Sequence, residues 1–483
     1  MSTKVSWSNN KPAYFVHSAI VVFFMFGFKY LPPFGGITEV GMGVVGVFLG
    51  VLWGWSFCEQ AWPSLLSLIA IGFTGYMSVG NALTGGFGHS NVILVFSILV
   101  LIYMMDSADI TKLFAYKVIN MKIGRGHPWI LTFLIIYGTW LMAAFASLFA
   151  AIVIMYNLFF KICDIYGIKK GSKYGSYMIA GITFACIMSG GQAFPWKAPV
   201  VMFMGAYQGV SGIGFDYFDY TVYVWITHFL FMLLYVLAGR FIIRPDVSAI
   251  AKVDEALVEE QGKLDNYQKI MLGVFATFLF CLLCPSILPK TWKLVAILNA
   301  LGTSGVAISL TVVLVILNFT RGVSLKETIN KAVSFDVIFL VASVMIVANA
   351  LGNEATGVSQ FLVNVLTPIF GGKSMIVFLA LVTLLPAMIT GFCNNLVVGM
   401  VFIPIAYSFC VANGVNHLAI AVMLCNLCSV AMLTAAGCAP AAMMYGQKEW
   451  ITAKEGFLYG IIAVFCVWIP SMLTMPAAFW WFG

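Results

Sequence analysis

Apolar residues come in long unbroken runs along this chain, near 14–31, 37–56, 63–84 and 91–106 in its first part. Further runs follow at 127–160, 174–207 and 219–239. After a polar stretch they resume at 270–288, 294–319, 336–351, 374–410, 417–446 and 456–482. None alternates with a period of two. Most reach the roughly 20 residues an α-helix needs to cross a bilayer. Lipid offers no hydrogen bonds to a backbone, so these runs predict transmembrane helices. The segment 111–124 differs. Leu113, Phe114 and Val118 stand against Lys112, Lys117 and Lys122, which predicts an amphipathic helix lying in the interface. Positions 240–269 carry Arg244, Asp246, Lys252, Asp254, Glu255, Glu259, Glu260, Lys263 and Asp265, the one clear linker.

Composition sharpens this picture. Of 483 residues, 62% are hydrophobic and 9% charged, against roughly a quarter charged in a soluble domain. The net charge of +7 fits basic cytoplasmic loops better than a nucleic-acid partner. Met1 to Pro12 is polar and the first apolar run is long enough to stay in the bilayer, so no cleaved leader is expected. The five histidines are scattered. The pairs Cys281/Cys284 and Cys425/Cys428 lie inside apolar runs, where helix packing explains them better than zinc or redox chemistry.

Loop charge orients the chain. Lys112, Lys117, Lys122 and Arg125 precede the run 127–160, and Lys161, Lys169, Lys170 and Lys173 follow it. Both ends therefore look cytoplasmic. A single span would separate them, whereas a re-entrant hairpin of two half-helices keeps them together. Segments 352–372 and 407–417 hold no Lys or Arg, so 374–410 reads as a hairpin entering from outside. Lys290, Lys293 and Lys373 fall on the predicted outer face and run against that rule. The count is eleven crossings plus two hairpins, with a cytoplasmic N-terminus in a bacterial inner membrane.

The two halves also resemble each other. Ala198-Pro-Val-Val-Met-Phe-Met-Gly205 parallels Ala439-Pro-Ala-Ala-Met-Met-Tyr-Gly446, and Ala146-Ser147-Leu148 parallels Asn394-Asn395-Leu396. Similar sequence in oppositely oriented hairpins predicts an inverted repeat with a binding site at the midplane. The organisation read from this is a scaffold over 1–106 and a first repeat over 107–239, with hairpin 127–160 and broken helix 174–207. A cytoplasmic linker at 240–269 and scaffold helices over 270–351 follow. A second repeat spans 352–483, with hairpin 374–410 and broken helix 417–446.

The run Gly391-Phe-Cys-Asn-Asn-Leu-Val-Val-Gly-Met-Val-Phe-Ile-Pro404 resembles the Ser-Asn-Thr hairpin tip of the divalent anion/sodium symporter family, within the ion-transporter superfamily. The stretch 432–446 resembles that family's Thr-Pro break, and 144–157 and 190–205 resemble the matching elements of the first half. The resemblance implies an elevator-type carboxylate carrier, usually a homodimer, with the tips and broken helices forming the moving site. In sodium-coupled relatives the tip residues and nearby carbonyls hold sodium and the substrate carboxylates. Here the motifs have drifted. Leu148 and Leu396 stand at the threonine positions, and Ala198 and Ala439 precede Pro199 and Pro440 where Thr-Pro would be. The lost hydroxyls leave sodium binding and the anion open.

Candidate binding residues follow from both lines. Lys197, in Gly190-Gly-Gln-Ala-Phe-Pro-Trp-Lys-Ala-Pro199, is an ionisable residue in a long uncharged run, which is costly without a partner or purpose. It could stand where a relative holds sodium; the plainer reading is a lysine snorkelling to the outer interface. Asn394 and Asn395 can donate to a carboxylate, or can serve as packing amides. Ser147, Gln192, Trp196 and Cys438 complete the substrate-binding set. Asp106 and Asp109, at a span end, read as solvated or paired with Lys112. Glu354 gets the same reading. No resident cofactor or metal is expected, and the partners are a small organic anion and the bilayer. Exchange suits a permanent cation better than symport, because an emptied site would strand its charge. The alternatives are a sodium-coupled dicarboxylate symporter, a cation/proton antiporter lacking the usual buried carboxylates, and a metalloid exporter using Cys393 and Cys438. No cluster of catalytic groups argues for an enzyme.

Overall fold

The computed structural model describes residues 11–108, 110, 117, 121–124, 126–250, 264–319, 323–358, 360–361, 364 and 375–483. Most of the interfacial helix expected at 111–124, and the middle of the 240–269 linker, lie outside the described residues. Most of the described residues are helical, with no strand among them. They are α1 Lys11–Val22, α2 Glu39–Phe57, α3 Ala61–Phe73, α4 Val79–Phe87, α5 Ser90–Ser107, α6 Pro128–Phe145, α7 Leu148–Tyr166, α8 Lys173–Gln192 and α9 Ala198–Ser211. After α10 Tyr217–Ala238 come α11 Asn266–Ile287, α12 Lys293–Phe319, α13 Leu325–Ala332, α14 Phe335–Gly352, α15 Met375–Ile389, α16 Asn395–Ala412, α17 His417–Leu427, α18 Ala439–Gly446 and α19 Ala453–Trp481.

Eleven described helices are long and apolar enough to cross a membrane. They are not the eleven counted from the sequence. The structural set includes both legs of the first hairpin, α6 and α7, and the second leg of the other, α16. The legs are therefore of full spanning length, 18 and 19 residues in the first hairpin, and not the half-helices expected. The run 63–84 is also two helices. The chain turns at Gly75, whose φ of +90° suits glycine, before Ser78 caps α4. The run 294–319 is kinked at Gly302, φ +65°.

Contacts sort the helices into two bodies. One comprises α1–α5 and α11–α14; the other comprises α6–α10 and α15–α19, and the two meet chiefly where α9 packs along α14. The second body holds one pattern twice: a hairpin, a broken helix and a long helix, first in α6–α10 and again in α15–α19. The broken helices run in opposite directions. Ser176, at the start of α8, donates to Glu455 beyond α18, 3.0 Å. His417, at the start of α17, is 2.8 Å from the Tyr207 hydroxyl near the end of α9. On the exposed rim Lys170 pairs with Glu449 at 2.5 Å and holds that carboxyl below its usual range. So exposed a pair adds little stability.

Buried polar chains tie the second body together. Trp140 Nε1 of α6 donates to His228 Nδ1 of α10, 2.9 Å. The neutral ring therefore carries its proton on Nε2 and donates it to Asn426 Oδ1 of α17, 3.0 Å. His228→Leu strands two buried groups, each costing roughly 1–3 kcal/mol. The thermal midpoint of the solubilised protein is expected to fall by several degrees. An unchanged midpoint would mean that water replaces the ring.

Candidate functional site

Both tips are built by side-chain caps. Ala146 is extended at the end of α6 (φ −122°, ψ −178°), and Ser147 then caps α7, its Oγ accepting from Ala150 N at 3.1 Å. At the second tip Asn394 Oδ1 accepts from Leu396 N at 3.0 Å and starts α16. The breaks are set by proline. Pro195 cannot continue the ladder of α8, and Lys197 is extended (ψ 136°) before α9, which carries Pro199 in its first turn. Cys438 is likewise extended before α18, with Pro440 in its first turn.

Four helix N-termini, those of α7, α9, α16 and α18, open onto one cavity of about 380 Å³. Ser147, Leu148, Lys197, Ala198, Pro199, Asn395, Leu396, Cys438 and Pro440 line one side. Val95, Ile98, Leu99 and Ile102 of α5, with Val337 and Leu340 of α14, line the other, so the cavity lies between the two bodies. The positive ends of four helix dipoles meet there, an arrangement that favours negative charge.

Lys197 is 5% exposed, so its ammonium is enclosed by protein. Its ammonium donates back to the Ala143 and Ala146 carbonyls at the C-terminal end of α6, 3.2 and 3.4 Å. Cation and helix C-terminus suit each other there. Trp196, 2% exposed, stacks on Phe194 with centroids 4.5 Å apart and forms part of the cavity wall. Close contact at Gly190 seats the tip on α8, since a Cβ there would lie 2.5 Å from Leu148 Cδ1.

The structure brings five of the seven expected site residues to the cavity: Ser147, Trp196, Lys197, Asn395 and Cys438. Gln192 and Asn394 are placed elsewhere. Gln192 is fully buried behind the wall. Its Nε2 donates to Ser429 Oγ, and its Oε1 accepts from Tyr220, 3.3 Å. Asn394 commits its carbonyl oxygen to the cap, so its neighbour Asn395 is the one that faces the cavity. Asp106 makes a contact that the sequence did not suggest, and Asp109, read together with it, is outside the described residues. Lys112 is outside the described residues, and the Asp106 carboxylate accepts the Ser147 N–H at 3.1 Å and acts on the charge of Lys197. Sequence reasoning missed Ser429, which lines the cavity from the break after α17, and Thr434, whose hydroxyl donates to the Gly391 carbonyl beneath the second tip, 2.7 Å. A clue was present for both. They are hydroxyls at a helix break in the second half, where Lys197 stands at the break in the first. Among the described residues no three His, Cys, Asp or Glu side chains gather into a metal site, and all eleven cysteines are free.

Comparison with known proteins agrees with this architecture. No curated protein matches the chain. The crystal structure of the YdaH transporter of Alcanivorax borkumensis, described as having an unusual topology, matches with a TM-score of 0.57. It is 12% identical and covers 95% of this chain and 98% of its own. That is a likeness of fold. The citrate transporter family matches residues 48–352. With more than half of its length so matched, this multi-pass membrane protein belongs to the citrate transporter family of the ion-transporter superfamily.

Proposed function

We propose that this chain is a secondary carrier of small mono- or dicarboxylates, working by exchange, with the cavity between its two bodies as the binding site. One observation carries the reading: four helix N-termini and a buried ammonium share one cavity. A volume of about 380 Å³ suits a small organic ion. A citrate-like molecule is the first to try, given the family. One of its carboxylates would take Lys197 Nζ and the N-terminal ends of α7 and α9, and the Asn395 amide would meet the other end.

Lys197 in this reading does the work of a bound sodium ion. It is permanently attached, so its charge must cross with a counter-charge each time, and an anion must return in exchange. The body of α6–α10 and α15–α19 would move past the other along α9 and α14, which makes the carrier an elevator. We place it in a bacterial inner membrane, N-terminus cytoplasmic, as a homodimer.

The test is counterflow of radiolabelled citrate and succinate in proteoliposomes, with sodium replaced by potassium or choline. Counterflow that persists supports exchange. Loss of most of it on removing sodium would replace exchange with sodium-coupled symport. Absence of counterflow with both anions, alongside transport of arsenite or cations, would remove the carboxylate reading.

A further inference from the structure

The first hairpin tip is held at a single peptide group by two opposite charges. Lys197 Nζ donates to the Ala146 carbonyl at 3.4 Å, and the Ser147 N–H donates to Asp106 Oδ2 at 3.1 Å. That C=O and that N–H are the two ends of one planar trans peptide, so they point in opposite directions. A cation therefore sits at one end of the tip dipole and an anion at the other. The two side chains come from different bodies. Asp106 closes α5, whereas Lys197 and the tip belong to the body of α6–α10. Ser147 is also a wall residue of the cavity. Asp106 itself is outside the lining, but the N–H it accepts belongs to a wall residue, so an anion bound at that wall would lie close to its charge.

We infer that Asp106 is a built-in competitor for the transported anion. It takes the Ser147 N–H and offsets the charge of Lys197. When a substrate carboxylate enters, two like charges a few ångströms apart repel, and Asp106 gives up its hold. The bond joins the two bodies, so it is made only in the arrangement seen here. It parks the empty carrier, and Lys197 leaves this position only with an anion bound. The inference rests on the carboxylate reading above, and it names the residue that couples occupancy to movement.

A purely structural cap would predict that removing Asp106 weakens anion binding or leaves it unchanged. A competitor predicts the reverse. The experiment uses the full chain in lipid nanodiscs as wild type, Asp106→Asn and Asp106→Ala, with Asp265→Asn as a control for bulk charge. Hydrogen exchange of the tip, 143–150, is measured without anion. Binding of radiolabelled citrate and succinate is measured in parallel. Asp106→Ala is expected to speed tip exchange and to tighten anion binding about tenfold, with Asp265→Asn like wild type. Unchanged tip exchange overturns the contact. Unchanged or weaker binding overturns the competition. If neither anion binds to wild type or to either Asp106 variant, the carboxylate reading fails and the competition fails with it, while tip exchange still reports the contact by itself.

Discussion

Lys197→Met is expected to lower anion binding and counterflow by about 10- to 100-fold while leaving a folded protein. A hydrogen bond to a charged group contributes roughly 1.5–3 kcal/mol, and each 1.4 kcal/mol is a factor of ten. Methionine has similar reach and fills the same space beside Trp196 and Met202, so packing is largely kept. What is lost is the charge facing the cavity and the two bonds to Ala143 and Ala146. Lys197→Arg keeps the charge, but a planar guanidinium does not match two carbonyls more than 3 Å away on one helix end, so partial activity is expected. Normal thermal stability with wild-type uptake in Lys197→Met would remove this residue from the mechanism. Loss of stability along with uptake would instead assign it to holding the tip.

The second large effect is expected at the contact between the bodies. A Cβ at Gly209 would come 2.7 Å from the Ala348 carbonyl carbon and 2.9 Å from its Cβ, and one at Gly352 would come 2.4 Å from the Gly209 oxygen. Helices α9 and α14 thus touch backbone to backbone, as small residues permit inside a membrane. Gly209→Leu cannot be absorbed by rotating a side chain, because the neighbouring atoms are main chain. Overpacking of this kind costs about 1–3 kcal/mol or more. Transport is expected to be lost and the bodies to separate or shift. The exposed Gly273, with open space around it, is the control: Gly273→Leu should transport normally. Proteoliposome uptake with a thermal denaturation midpoint for each variant checks both. Wild-type uptake in Gly209→Leu would show that α9 and α14 need not stay in close contact during the cycle.

The sequence by itself determined that the chain is a helical membrane protein, because apolar runs of spanning length have no other stable form in lipid. It also located the tips at Ser147 and Asn394 and the breaks at Pro195–Pro199 and Cys438–Pro440. Caps and prolines act on their own backbone within a few residues, so their effect is legible locally. Lys197 stood out for the same kind of reason, as a charge in an uncharged run. Only the tertiary structure decided which polar groups share the cavity. Gln192 and Lys197 lie five residues apart, yet one is turned behind the wall and the other faces the cavity, because α8 ends between them. Asp106 looked like any acid at the end of a span. Its contact with the tip came from α5 ending beside a turn 41 residues further along the chain. Hydropathy reports whether a residue meets lipid or water. It carries no information about which distant helix a polar side chain meets, and in this protein that meeting makes the site.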